Sequence, residues 1–121
     1  MALAHSPKII TDGLVLALDA GNTKSYPGSG TTWTDLSGKG NTGTLVNGVG
    51  YSNGYLSFDG SDDKVTLSSN NVNGLSSGTT DFSILTWVKY NSTTAYTAFF
   101  EKQNATGTTI RLDMGWIGNV I

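Results

Sequence analysis

The sequence predicts an all-β, antiparallel β-sandwich, on three observations. Ser, Thr and Asn make up about a third of the chain and glycine is abundant, with 16 residues. Gly, Asn, Asp and Ser suit turns, while the Thr, Val, Ile, Tyr, Phe and Trp between them suit pleated surfaces. Charged residues are only 13% of the whole and Glu101 is the sole glutamate, so amphipathic surface helices lack their usual material. The apolar residues fall in short, alternating runs separated by Gly- and Asn-rich punctuation. At 121 residues the chain suits a single domain, expected over residues 9–121. It holds no cysteine, so packing or assembly must stabilise it.

Residues 1–8 read as an N-terminal arm. Residues 9–20 carry the first strand pattern, with Leu14, Leu16 and Leu18 alternating against Val15, Ala17 and Asp19. Both faces are largely apolar, as in a strand covered on two sides. Residues 21–32 form a Gly/Ser/Thr loop containing Tyr26 and Pro27, and Trp33 and Leu36 are placed to pin its end. Residues 43–46 read as a strand. Asn47-Gly48 follows and Asn53-Gly54 comes after it, both in the strongest short hairpin pattern. In residues 55–59, Tyr55, Ser57 and Asp59 share one face and Leu56 and Phe58 the other. Residues 60–63 turn, and 64–67 return with Val65 and Leu67 inward.

Residues 68–81 read as a loop. Residues 82–90 give the longest strand pattern, with Phe82, Ile84, Thr86, Val88 and Tyr90 on one face and Leu85 and Trp87 on the other. Strands are expected again at 96–102, which holds Phe99 and Phe100, and at 108–114. A further one is expected to begin near Trp116.

Several runs in this order resemble a known family. They are Gly13-Leu14-Val15-Leu16-Ala17-Leu18-Asp19-Ala20-Gly21-Asn22, then Ser25-Tyr26-Pro27-Gly28-Ser29-Gly30, then Trp33-Thr34-Asp35-Leu36-Ser37-Gly38. Phe58-Asp59-Gly60-Ser61-Asp62-Asp63-Lys64-Val65 and Phe82-Ser83-Ile84-Leu85-Thr86-Trp87-Val88-Lys89 follow. Together they resemble laminin-G-like, concanavalin-A-like lectin domains. The resemblance implies a jelly-roll sandwich, with calcium and glycans as ligands on its loops. The opening Ala4-His5-Ser6-Pro7-Lys8-Ile9-Ile10-Thr11-Asp12-Gly13 is similar to the start of structural proteins of tailed phages, cyanophages especially. Such domains usually run on for several more strands than this sequence holds. It reads either as a fragment or as a short version with exposed strand edges, which invite pairing with other chains.

Catalysis is not expected. Concanavalin-A-like glycoside hydrolases set two carboxyl groups across the scissile bond, ~5–9 Å apart. Neither Glu101 nor Asp113 has an acidic neighbour two or four residues away. The single histidine, His5, lies in the arm, which leaves no Ser-His-Asp set on the body of the chain. Gly38-Lys39-Gly40 is a short turn and not a phosphate cradle. Formal charge is −2, with Arg111 and six scattered lysines, so nucleic acid is not an expected partner. No stretch approaches the ~20 apolar residues that span a bilayer.

Calcium takes six to eight oxygens. Asp59, Asp62 and Asp63 on one turn, with Asp19 at the end of a strand, are the candidate ligands; turn capping accounts for the same residues without an ion. Tyr26, Trp33, Tyr51, Tyr96 and Trp116 are the candidate ligand-stacking aromatics, with core packing as the competing role. Asn91-Ser92-Thr93 and Asn104-Ala105-Thr106 match a glycosylation pattern, read as accidental without a leader sequence.

The expected role is a non-enzymatic adhesion or structural module of a virion: a tail fibre, an appendage or a capsid decoration. The expected partners are a host-surface glycan or other virion proteins, with a homo-oligomer or larger assembly. No secretion signal is read in residues 1–8, an expectation that fits a cytosolic product and equally a virion protein assembled in a host cytoplasm and released by lysis. A purely structural cement protein and a bacterial carbohydrate-binding module are the alternatives.

Overall fold

The computed structural model describes residues 9–67, 81–90, 97–103 and 109–114. Those residues form antiparallel sheets and no helix, so the chain is all-β there. No helix among them is long and apolar enough to cross a membrane. The chain divides into two compact units, Met1–Asn73 and Gly74–Ile121.

The first unit holds five strands: β1 (Thr32–Trp33), β2 (Gly43–Val46), β3 (Gly50–Ser52), β4 (Tyr55–Ser57) and β5 (Lys64–Leu67). β2 is central in one sheet, flanked antiparallel by β1 and β5. Leu45 of β2 is buried, and Val65 and Leu67 of β5 are half-buried, as their alternation predicts. Gly43 lets the layers close: a Cβ there would lie 2.8 Å from Val65 Cγ1 and 3.6 Å from Leu18 Cδ1.

β3 and β4 form a separate hairpin with Ser52 opposite Tyr55. The two loop residues, Asn53 and Gly54, have φ of 48° and 84°. Positive φ at both positions is the type I′ requirement, and Asn-Gly meets it with little strain. Asn47 and Gly48 have the same signs, φ 67° and 99°, but they close no hairpin. Both edges of β2 are already taken by β1 and β5, so the turn leads the chain away to β3.

Residues 9–20, expected to be a strand, carry no ladder. Ile9 and Ile10 are exposed, while 14–18 are half-buried. The polar backbone of this segment bonds to loops instead. Ala17 N donates to Asp35 Oδ1 at 2.9 Å, and Asp19 N to Ser25 Oγ at 3.1 Å. Leu36 N donates to Ala17 O at 2.8 Å, and Asn41 Nδ2 to Val15 O at 2.7 Å. Buried backbone groups need partners, but a neighbouring strand is only one way to supply them. Phe58, expected on one face with Leu56, is exposed where Leu56 is half-buried, because β4 ends at Ser57 and Phe58 lies past the last paired position.

The second unit holds β6 (Thr97–Gln103) and β7 (Thr109–Met114), paired antiparallel. The register shifts between Ala98 and Phe100, leaving Phe99 as an extra, exposed residue. Residues 82–90, expected as the longest strand, form no strand ladder with the described residues. The arm at 1–8, the loop at 68–80 and the strand expected near Trp116 lie outside the described residues.

Candidate functional site

Two features of the first unit bear on ligand binding, and a buried polar cluster holds the segments leading to them. Asp35 is that cluster's centre and is only 8% exposed. Its Oδ1 accepts from the N–H groups of Ala17 and Ser37, both at 2.9 Å. Its Oδ2 accepts from Ser37 Oγ at 2.7 Å and Asn41 N at 2.9 Å. Burial by itself pushes the Asp35 carboxyl up. The bonds from Ala17, Ser37 and Asn41 together outweigh that and hold it below its ordinary value. Four donors on one carboxylate leave little capacity for a ligand, so this group is architectural.

Ser25 repeats the device. Its buried hydroxyl donates to Thr34 O at 2.6 Å and accepts from Asp19 N. Next to it Tyr26 is 3% exposed and donates its hydroxyl to Gly30 O at 2.8 Å. Its ring meets Tyr51 edge to face, with centroids 5.0 Å apart and planes at 60°. Tyr26 therefore lies beneath the surface, and Tyr51, 37% exposed, is the ring of the pair that meets solvent. Trp33 is half-buried, and its Nε1 has no hydrogen-bond partner among the described residues. Tyr96 and Trp116 lie outside the described residues.

Tyr55 and Phe58, which the sequence reading did not single out as ligand contacts, are each more than half exposed. The outward position of Tyr55 was legible in the alternation of residues 55–59. In the register of the hairpin, Tyr51 opposes Leu56 and Ser52 opposes Tyr55. Directly opposed residues share a face, so Tyr51 faces Tyr26 and Tyr55 stands on the other side with Ser52 and Ser57.

The acidic turn follows at once. Carboxylate oxygens of Asp59, Asp62 and Asp63 lie within 4.8 Å of one another, a spacing at which the three could hold a metal ion. The turn is shaped by its own side chains. Ser61 N donates to Asp59 Oδ1 at 2.8 Å, an Asx turn, and Asp59 N donates to Asp63 Oδ2 at 3.0 Å. Asn47 Nδ2 donates to Asp62 O at 3.0 Å, tying the Asn47-Gly48 corner to the turn. Asp63 Oδ1 is buried with no hydrogen-bond partner among the described residues. Asp59 and Asp62 are exposed. Asp19 is not brought to this cluster: its Oδ1 accepts from Gly21 N at 2.9 Å and caps its own turn.

No family model, curated protein or solved structure matches the chain.

Proposed function

We propose that this chain is a non-enzymatic jelly-roll module of a virion that binds a glycan through its loops, as part of a tail fibre, an appendage or a capsid decoration. The observation that carries the glycan reading is the stretch from Tyr51 to Asp63. It exposes the rings of Tyr55 and Phe58 just before the Asp59, Asp62 and Asp63 carboxylates, while Tyr51 lies on the opposite face of the hairpin from Tyr55. An aromatic face gives a sugar ring a rigid apolar platform. Carboxylates beside it accept hydroxyl hydrogen bonds, and Ca²⁺ held by the trio would add a ligand site for hydroxyl oxygens. The likeness of the opening residues to phage structural proteins supports the virion setting.

Glycan-array binding by purified protein is the test. Binding to at least one glycan class is expected, weakened at least about tenfold by Tyr55→Ala or Phe58→Ala, the loss of roughly 1.4 kcal/mol. Circular dichroism must show both variants folded. Failure of the folded wild type to bind any glycan, with and without Ca²⁺, overturns the glycan reading. A second reading, a purely structural decoration or cement protein, draws on Leu85 and Trp87, which expose large apolar side chains. Co-sedimentation with assembled capsids in the absence of any glycan binding would favour it.

A further inference from the structure

Residues 81–89 form no ladder with any described residue, yet their exposure alternates. Phe82, Ile84 and Val88 are 41, 37 and 47% exposed, whereas Leu85 and Trp87 are 88 and 93% exposed. That is a strand's period of two, with Leu85 and Trp87 at the centre of the outermost face and Asp81, Ser83 and Lys89 around them. Residues 82–88 contain no charge, proline or glycine, and the charges that bracket them are opposite: Asp81 at one end and Lys89 at the other, both exposed. Such a segment is a template for strand addition, and its charges choose the partner. Laid antiparallel on itself about Leu85, it sets Asp81 opposite Lys89 at both ends. Phe82 then opposes Val88, an aromatic against a β-branched residue, and Leu85 opposes Leu85. Laid parallel and in register, it would stack Asp81 on Asp81 and Lys89 on Lys89, which is unfavourable.

We propose that residues 81–89 are a pairing surface for a second copy of this chain, antiparallel about a two-fold axis at Leu85. The inference rests on the reading of the chain as an assembling module and names the partner as the chain itself. A two-fold contact is closed, so it yields dimers and not open fibres.

Sedimentation of the full chain tests this, with glycan binding measured on the same samples so that the two readings stand or fall separately. Wild type is expected to dimerise. Asp81→Lys and Lys89→Asp are each expected to weaken the dimer about tenfold by turning two attractive pairs into like-charge pairs. The double exchange restores it. The chain has no cysteine, so introduced thiols report the register. A mixture of D81C and K89C should crosslink under mild oxidation far more than either alone. A wild type that stays monomeric at all concentrations overturns the proposal, leaving the segment to other chains or further strands. So does a double exchange no better than the singles, or D81C crosslinking best to itself.

Discussion

The Asp35 carboxylate accepts the backbone N–H of Ala17 at 2.9 Å across 18 residues of sequence. With the bonds from Ser37 and Asn41, it fastens residues 14–18 where a neighbouring strand would otherwise serve. Asp35→Asn replaces part of this acceptor with a donor and removes the charge. It is expected to cost about 3 kcal/mol, as hydrogen bonds to a buried charged group typically do. Urea unfolding should show a lower midpoint with an unchanged slope; a loss under about 0.5 kcal/mol, the usual size of a neutral surface change, would contradict the role assigned to Asp35.

The same group sets a pH dependence. Its carboxyl is held below the ordinary value, so the folded state favours the ionised form. The contribution is complete above the unfolded-state value, about 3.9. It is lost as pH falls through the lower native value, because protons then bind the folded state too. The stability difference between wild type and D35N, followed by urea titration from pH 7 downward, should therefore narrow in that acidic window and stay flat above it. A gap that widens on acidification would reverse the sign and refute the assignment.

Gly43 is buried where a Cβ would press on Val65 Cγ1 at 2.8 Å. Gly43→Ala must push β5 or Leu18 aside, at an expected cost of about 1–3 kcal/mol. Thermal unfolding measures it. An unchanged or raised melting temperature would mean that the contact between β2 and Val65 is looser than described.

For the acidic turn, Ca²⁺ at about one hundred times its dissociation constant should add about 2.7 kcal/mol to the folded state. A thermal-shift assay should show that gain in wild type and lose it in Asp62→Asn. The Asp62 link to Asn47 runs through its backbone carbonyl, so the substitution spares it. No shift in wild type at millimolar Ca²⁺, the weak end of known protein sites, would leave the trio as turn chemistry alone.

Local chemistry was legible in the sequence and non-local chemistry was not. Asn53-Gly54 announced a type I′ hairpin because both residues tolerate positive φ, and Val65 and Leu67 announced their inward face by spacing alone. Asn47-Gly48 carried the same signal and misled, since whether a turn closes a hairpin depends on whether β2 has a free edge. Apolar alternation in residues 9–20 likewise could not reveal that Asp35, Ser25 and Asn41 would take the place of a ladder. Of the candidate ligands, Asp59, Asp62 and Asp63 meet because they share one short turn, whereas Asp19 is spent on Gly21. Tyr26 and Tyr51 could not be told apart by residue type, and only their packing decides which one meets solvent.

Amide hydrogen exchange at Ala17, Ser37 and Asn41 tests most directly that side-chain bonds to Asp35 hold residues 14–18 and the loop of residues 35–41 in place of a strand ladder. All three amides donate to its carboxylate. They should exchange slowly in wild type at neutral pH and together become fast in D35N, while the β2 amides paired to β5 stay protected. Fast exchange of the three in wild type, or protection unchanged in D35N, would contradict it.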